Sequence, residues 1–252
     1  MPGDTDQWRF IMIASILKKV ARQTGITPPL KRWILSRIST PVPPPFYSLS
    51  PDLLVGLVLA FDHQSLFEGH AYYEFGLFRG FSLWFAEQLA RKKAPKEFLL
   101  YGFDSFEGLP ETAVDAGFYR EGEFCAGYEL VRENLSKYGA DWDRIKLFRG
   151  FYSRSLFSAF RNQEKFRPVS IAVIDVDIYE SCVLVLEFLR PYIVPGSILI
   201  FDDYNDMGRS DEHGERKALM EFEARTGMEK ELLFELGREC AGFRVVRAPN
   251  AK

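Results

Sequence analysis

The sequence predicts an α/β protein built on a doubly wound, mostly parallel sheet. Short, unbroken apolar runs rich in β-branched residues recur along the chain, a pattern typical of parallel strands covered on both faces. Helical stretches separate most of these runs, and alternating β and α units form a parallel sheet with helices on both sides. The last two runs lack a helix between them and are typical of a terminal hairpin.

Seven runs are strand candidates, which makes the predicted sheet seven-stranded. In chain order they span 71–77, 98–103, 145–149, 171–175, 197–201, 231–236 and 242–246. The final pair predicts one reversed strand, at the edge of the sheet. Within the strand-containing part, the longer helical stretches span 83–91, 128–138, 181–194 and 215–225.

The N-terminal part differs in character from the rest. Residues 1–65 are predicted to form a helical extension with a proline-rich linker at 39–46, because proline fixes φ and prevents a helix from continuing. A further helix is expected from Pro51. We expect the extension to cap a site or to contact another subunit, and residues 66–252 to form the α/β domain.

Composition excludes several classes of partner. A net charge of −3 gives no reason to expect nucleic acid or an anionic membrane as a partner. The apolar N-terminal stretch at 10–17 is too short to cross a bilayer. Cys125, Cys182 and Cys240 are isolated and lack metal or redox spacing. Reduced thiols of this kind predict a cytoplasmic protein.

Two acidic pairs follow the fourth and fifth predicted strands, Asp175 with Asp177 and Asp202 with Asp203. A strand–helix–strand unit usually joins neighbouring strands about 4.8 Å apart, so the four carboxylates should meet at one sheet edge. Asp175 and Asp177 would face the same side if their strand continued. Four carboxylates repel one another unless something positive lies among them, and a divalent cation is the expected partner.

The ends of the first three strands indicate a nucleoside-like cofactor, since ligands bind beyond the carboxyl ends of such sheets. An E-x-G-x-x-x-G turn begins at Glu74 and lacks the G-x-G-x-x-G spacing of a pyrophosphate cradle. An acid at the second strand end can accept hydrogen bonds from ribose hydroxyls, although a solvated turn acid is the alternative. The predicted cofactor-contacting residues are Glu74, Gly76, Gly80, Asp104, Ser105, Gly150, Phe151 and Asp175.

These segments resemble the macrocin O-methyltransferase family of class I S-adenosylmethionine-dependent enzymes. The resemblance covers residues from about 65 to 225 and is most specific at 103–110 and in the D-x-D-x-Y-E-S and D-D-Y patterns. It implies a Rossmann-like fold, S-adenosylmethionine as methyl donor, and O-methylation of a small hydroxylated acceptor. That acceptor would be a sugar or a glycosylated product of secondary metabolism. Because family members often form homo-oligomers, it also implies a dimer or a larger assembly.

The resemblance also implies roles for single residues. The cofactor would be held by Glu74, Gly76 and Asp104, and Mg²⁺ by Asp175, Asp202 and Asp203. Asp177 would be the general base, with His213 as a rival. An all-oxygen site suits Mg²⁺, which can hold an acceptor hydroxyl and lower its pKa. The family pattern is altered only at Val176, Cys182 and Ser197, which leaves every proposed ligand in place.

Two other classes of protein remain open. A nucleotide-sugar or dinucleotide oxidoreductase would share the architecture but would need a phosphate-cradling turn and a Tyr/Lys or Cys catalytic pair. A non-catalytic S-adenosylmethionine-binding protein would retain the fold alone. The loop at 112–127 is either a lid over the cofactor or an irregular connection. Selection of the acceptor is expected to lie in the segments 1–65, 109–127 and 204–214.

Overall fold

The structure is a computed structural model that describes residues 33, 36–37, 50–112, 115, 118–237 and 239–250. Most of the predicted helical extension and the whole proline-rich linker lie outside these residues. The continuous description begins at helix α1 (Pro51–His63), where the sequence predicted a helix. Ser50 is its N-cap and accepts a hydrogen bond from the Leu53 amide.

The described residues form one seven-stranded sheet, as predicted. The strands are β1 (Ala71–Phe75), β2 (Leu99–Asp104), β3 (Ile145–Arg149), β4 (Val169–Ile174), β5 (Ile198–Phe201), β6 (Glu229–Leu236) and β7 (Cys240–Arg247). Their order across the sheet is β3-β2-β1-β4-β5-β7-β6. Every neighbouring pair is parallel except those that β7 forms with β5 and with β6.

The reversed strand was predicted at the sheet edge, and this was wrong. β7 lies inside the sheet between β5 and β6, which leaves β6 as the edge strand. The reason is apparent in the side chains: most of β7 is buried, whereas β6 carries exposed charged residues. Charged side chains are suited to an edge because they oppose pairing with another chain.

Helices cover both faces of the sheet. They are α2 (Phe81–Lys93), α3 (Tyr128–Lys137), α4 (Arg154–Gln163), α5 (Tyr179–Leu189), α6 (Asp206–Arg209) and α7 (Gly214–Thr226). One apolar cluster joins α1, α2 and α3 to one face, and a second joins α4, α5 and α7 to the other. The doubly wound α/β architecture is therefore confirmed.

Several helix boundaries differ from those predicted from the hydrophobic periodicity of the sequence. Helix α5 was predicted at 181–194, but it begins at Tyr179 and ends at Leu189, shortly before Pro191, which cannot continue a helix. Helices α4 and α6 were not predicted. α4 had a local signal, because its N-cap Ser153 accepts a hydrogen bond from the Leu156 amide at 3.1 Å.

Helix α1 is part of the core. It contacts α2, β6 and β7, and its residues Leu57, Val58 and Phe61 are almost fully buried. The described part of the predicted N-terminal extension therefore packs on the α/β domain, and a boundary at residue 65 stays a prediction. In the part of the chain that the structure describes, no helix combines the length and hydrophobicity needed to cross a membrane.

The turn after β1 approaches the end of β4 very closely. Gly76 has φ of 85°, and a Cβ atom at this position would lie 1.7 Å from the carbonyl oxygen of Asp175. Only glycine allows both this backbone conformation and this approach. The close approach aligns the ends of the two central strands.

We expect Gly76→Ala to destabilise the fold by more than the roughly 1 kcal/mol that a left-handed alanine costs on its own. The added methyl group would have to displace the Asp175 carbonyl. The matched control is Gly69→Ala, because Gly69 has φ of 70° and open space around it. Urea unfolding gives the free energy of unfolding of both variants. The decrease in Gly69→Ala measures the cost of the backbone conformation, and any further decrease in Gly76→Ala measures the cost of the clash. Equal decreases would contradict the prediction.

Candidate active site

The two acidic segments meet at the carboxyl edge of the sheet, as the sequence predicted. Strands β4 and β5 are neighbours, with Ile174 paired to Phe201. Beyond this pair the Asp202 amide donates to the Ile174 carbonyl at 3.1 Å, which holds the two segments side by side. Carboxylate oxygens of Asp175, Asp177 and Asp203 all lie within 4.8 Å of one another. We call these three residues the acidic cluster.

Asp177 reaches the acidic cluster through a turn. The strand ends at Ile174, so the predicted alternation of side chains along a continuing strand does not apply. Instead Asp177 adopts a left-handed conformation with φ of 57°, which is strained for a residue other than glycine. The turn brings the Asp177 carboxylate back toward Asp175, immediately before α5 begins.

Asp202 was predicted as a metal ligand, but the acidic cluster contains Asp177 in its place. The Asp202 carboxylate accepts a hydrogen bond from the Ser50 hydroxyl at 3.0 Å, and so ties β5 to the start of α1. It lines the same pocket as the cluster. Its participation in a metal site stays a prediction, and Asp177 joins the candidate ligands.

The acidic cluster has perturbed protonation equilibria. Burial, and then the neighbouring carboxylates Asp202 and Asp177, raise the pKa of Asp175 well above its usual value. Burial raises the pKa of Asp203 in the same way, followed by repulsion from Asp177. Burial also raises the pKa of Asp177, to about 7, against a hydrogen bond with Asp203 that lowers it. Burial is the largest cause of each shift, and repulsion from neighbouring acids adds to it at all three residues.

This donor set fits a hard divalent cation. Such ions take carboxylate oxygens as ligands, and a bound ion would offset the repulsion that, after burial, raises the pKa values of these acids. Asp175 and Asp203 belong both to the cluster and to the set predicted from the sequence. They are therefore the strongest candidate ligands.

A pocket of about 650 Å³ extends from the acidic cluster along the strand ends. Six of the eight predicted cofactor-contacting residues line it: Gly76, Asp104, Ser105, Gly150, Phe151 and Asp175. Glu74 and Gly80 are not among the described residues that line it. Glu74 is fully buried and accepts hydrogen bonds from the Tyr72 and Ser82 hydroxyls, while Gly80 is the N-cap of α2 and faces Val131.

Asp104 organises the part of the pocket at the ends of β1 and β2. Its Oδ2 accepts hydrogen bonds from the Leu77 and Phe78 amides at 2.7 and 3.1 Å, and its Oδ1 accepts one from the Phe106 amide at 2.6 Å. Phe78 and Phe106 both have positive φ, of 45° and 59°. The carboxylate thus stabilises two strained turns, and Asp104 lines the pocket.

Tyr152 connects three strand ends, a role that its sequence position did not indicate. Its hydroxyl donates to the Phe103 carbonyl at 2.9 Å and accepts a hydrogen bond from the Gly76 amide at 3.1 Å. It follows β3, while its partners end β2 and β1. Tyr152 therefore joins the ends of β1, β2 and β3 by hydrogen bonds.

His213 lies outside this pocket. Its Nδ1 is 3.2 Å from Asp115 Oδ1, and its ring packs against Phe118. It is not among the described residues that line the pocket, whereas Asp177 is. The geometry therefore favours Asp177 over His213 as the general base, an assignment that stays a prediction.

Asp115, which the sequence analysis did not single out, caps two helices. It is fully buried, and its carboxylate accepts hydrogen bonds from the Tyr179 amide at 2.6 Å and from the Gly214 amide at 3.2 Å. These are the first residues of α5 and α7, neither of which has a cap from its own N-cap side chain. The described part of the 112–127 loop is thus attached to both helices.

Two further residues beside the site were missed. Tyr119, in the same loop, donates a hydrogen bond to Asp206 at 2.8 Å, and the charges of Asp203 and Asp177 contribute, after burial, to the raised pKa of its hydroxyl. Glu215 is a fully buried acid at the start of α7. A single sequence does not indicate that an acid such as Glu215 is buried. It also does not indicate that a loop residue such as Tyr119 contacts the acidic edge of the sheet.

Comparison with known proteins agrees with this architecture. A sequence profile described as macrocin O-methyltransferase (TylF) matches residues 67–244. Over 139 residues, 52% of this chain and 51% of the relative, the chain is 31% identical to 8-demethyl-8-(2,3-dimethoxy-alpha-L-rhamnosyl)-tetracenomycin-C 4'-O-methyltransferase of Streptomyces olivaceus. It is 25% identical over 181 residues to mycinamicin III 3''-O-methyltransferase of Micromonospora griseorubida, 68% of this chain and 66% of that one. The matches thus span between half and two thirds of these relatives.

Solved structures share the fold. The O-methyltransferase NovP superposes with a TM-score of 0.63 at 20% identity, covering 77% of this chain and 81% of its own. The calicheamicin methyltransferase CalS11 gives 0.61 at 21% identity, covering 97% and 93%. The sheet and its strand-end pocket therefore place the protein in the Rossmann-like methyltransferase fold class. Within that class, the chain belongs to the macrocin O-methyltransferase family.

Loss of the Asp115 carboxylate should destabilise the protein more than loss of an ordinary cap. We expect Asp115→Ala to lower the free energy of unfolding by about 2 kcal/mol or more, because two helices lose their caps together. The control is Ser153→Ala, which removes the single cap of α4 and should cost about 1 kcal/mol. Denaturant unfolding measures both, and equal losses would refute the double-cap interpretation.

The stability contribution of Glu74 should depend on pH. Burial raises its pKa from 4.5 to about 7, so between these values the folded protein binds more protons than the unfolded chain. The free energy of unfolding should therefore fall as the pH rises through this window, by on the order of 3 kcal/mol from this group. Glu74→Gln mimics the protonated acid and should remove this dependence.

The measurement is the melting temperature of the wild type and of Glu74→Gln between pH 4.5 and pH 8. The variant should gain stability relative to the wild type as the pH rises. A difference that stayed constant across the window would show that Glu74 titrates normally in the folded protein.

Proposed function

We propose that the protein is an S-adenosylmethionine-dependent O-methyltransferase that uses Mg²⁺ and methylates a hydroxyl group of a sugar or glycosylated small molecule. The main support is one continuous pocket, which joins predicted cofactor contacts at the ends of β1 to β3 with the acidic cluster at the ends of β4 and β5. A methyl donor and a metal-held acceptor must lie next to each other, and this pocket offers adjoining places for both. One matched relative is described as a 4'-O-methyltransferase of a rhamnosyl-tetracenomycin, and another as a mycinamicin III 3''-O-methyltransferase.

The charge of the pocket supports a cofactor without a diphosphate. Its described lining contains no Lys, Arg or His, and it contains eight carboxylates: Asp104, Glu111, Glu123, Asp175, Asp177, Glu180, Asp202 and Asp203. A pyrophosphate would meet repulsion here, whereas the sulfonium of S-adenosylmethionine carries a positive charge. This argues against the dinucleotide oxidoreductase alternative. A non-catalytic binding protein would have no need for the acidic cluster.

Each end of the pocket has a distinct task in this proposal. Asp104 and Ser105 would bind the ribose, and Gly150 with Phe151 would border the adenine. Asp175 and Asp203 would hold a divalent ion, which supplies charge that orients the acceptor hydroxyl and lowers its pKa. Asp177, in the same cluster, would accept the hydroxyl proton as general base or complete the ligand set.

The acceptor would enter beside helix α1. Ser50, Leu53 and Leu54 line the pocket, and the Ser50 bond to Asp202 places the start of α1 at its acidic end. Leu184 of α5 adds a further apolar wall. An acidic floor with apolar walls suits a sugar attached to an apolar body. The homo-oligomer and the cytoplasmic location expected from the sequence stay predictions.

Calorimetric titrations with S-adenosylhomocysteine and, separately, with Mg²⁺ test this proposal. We expect the wild type to bind both, and Asp203→Asn to lose at least about tenfold in metal affinity while it retains the cofactor. The matched control is Asp211→Asn, which removes an exposed acid paired with Arg216 in the loop between α6 and α7. It should leave both affinities unchanged.

Two further variants test whether Asp177 or Asp202 is the third metal ligand. If Asp177→Asn weakens Mg²⁺ binding and Asp202→Asn does not, Asp177 is the third ligand; the reverse result restores the set predicted from the sequence. A general base would instead appear as lost methyl transfer with metal affinity retained. A protein that binds NAD but not S-adenosylhomocysteine would refute the methyltransferase proposal. A protein that binds S-adenosylhomocysteine but no Mg²⁺ would refute the metal-binding part of the proposal and leave a metal-independent methyltransferase.

A further inference from the structure

Glu215 is a buried acid that the proposed chemistry does not use directly. It is the second residue of α7, its side chain is inaccessible to solvent, and it is not among the described residues that line the pocket. A buried carboxylate is unfavourable unless its oxygens accept hydrogen bonds. Its hydrogen-bond partners therefore indicate what it does in the structure.

Each Glu215 oxygen accepts a hydrogen bond from a different acidic segment. Oε1 accepts from the Val176 amide at 3.1 Å, and Oε2 accepts from the Asp203 amide at 3.2 Å. Val176 lies between Asp175 and Asp177 in sequence, and Asp203 belongs to the cluster itself. One rigid carboxylate group thus links the backbone after β4 to the backbone after β5.

The two amides that Glu215 binds lie in irregular backbone beyond the ends of β4 and β5. Val176 begins the tight turn that holds Asp177 in its left-handed conformation, and its carbonyl accepts the hydrogen bond from the Ile178 amide that closes this turn. A strained residue persists only when its surroundings fix it. The Asp203 segment, in turn, has no regular strand pairing beyond Phe201. Glu215 thus adds a second connection between the two segments, besides the hydrogen bond from the Asp202 amide to the Ile174 carbonyl.

We propose that Glu215 is the positioning residue of the metal site: by accepting one amide from each acidic segment, it sets the spacing of the Asp175, Asp177 and Asp203 carboxylates. The proposal rests on the metal-binding part of the proposed function. Its action is through the backbone, since the side chain lies behind the cluster. Partners of this kind, one shell removed from a metal ion, typically contribute about 10- to 100-fold to metal affinity.

Two substitutions separate position from charge. Glu215→Gln is isosteric but replaces one acceptor oxygen by an NH₂ group that cannot accept from a backbone amide. Glu215→Asp keeps the charge but is one methylene too short to reach both amides. If positioning dominates, both variants lose metal affinity. If the charge alone matters, the aspartate variant binds metal like the wild type, and the inference is overturned.

The control variant tests for a general effect of destabilising α7. Thr226 is fully buried at the far end of the same helix, and its hydroxyl donates to the Phe222 carbonyl at 2.7 Å. Thr226→Val should lower the melting temperature without changing metal affinity. A metal affinity that fell equally in this variant would show that Glu215 acts only through helix stability.

The measurement is Mn²⁺ binding followed by electron paramagnetic resonance, with S-adenosylhomocysteine titrated separately to verify the fold. We expect Glu215→Gln and Glu215→Asp to weaken Mn²⁺ binding by about tenfold or more, with cofactor affinity retained. Unchanged Mn²⁺ affinity in either variant overturns the inference. A wild type that binds cofactor but no Mn²⁺ overturns the metal site as well, and the wild-type titration alone reveals this.

Hydrogen exchange of the unaltered protein provides a test that does not depend on a variant folding. The Val176 and Asp203 amides should be protected without metal, because Glu215 already accepts both. Fast exchange at either amide in the metal-free protein would overturn the inference.

Discussion

Repulsion among the carboxylates that follow β4 and β5 is the constraint around which this protein is organised. Asp175, Asp177 and Asp203 are held closer together than free carboxylates would remain in water. Three helices begin nearby: α5 and α7 start beside these residues, and α1 starts at Ser50, which donates a hydrogen bond to Asp202. The N-terminus of a helix carries a partial positive charge, which moderates the repulsion without neutralising it.

The part of the pocket at the ends of β1 to β3 is organised in a similar way. Asp104 holds two turns through backbone amides, and Tyr152 joins the ends of three strands. At both ends of the pocket, one or two polar side chains hold several loops together, and strained residues lie next to them. Loops that are fixed in this way keep a defined pocket shape before any ligand arrives, which reduces the ordering needed on binding.

Much of this architecture was predictable from sequence because it depends on local patterns. Apolar runs located the seven strands, and the strand–helix–strand rule correctly placed the two acidic segments side by side. The position of β7 was not predictable from those patterns, because hairpin connectivity does not say which strand pairs with β5. The more buried strand, β7, is the one that pairs with β5.

The details of the site depended on contacts between distant segments. Asp177 joins the acidic cluster through a left-handed turn, whereas the sequence argument assumed a continuing strand. Asp115 and Glu215 are charged residues in a loop and at a helix start, where a sequence normally predicts solvent exposure. Their burial arises only when the loop, the two helices and the sheet edge pack together.

Helix α1 precedes the segment that matches the family profile, yet Ser50, Leu53 and Leu54 form one wall of the pocket. The acidic floor of the pocket lies inside the segment that matches the profile, and this wall lies outside it. The two can therefore change independently over evolution. Two relatives with identical acids could admit molecules of different shape through substitutions in a helix that carries no signature motif. A chimera that exchanged only residues 67–244 would combine the floor of one parent with the wall of the other.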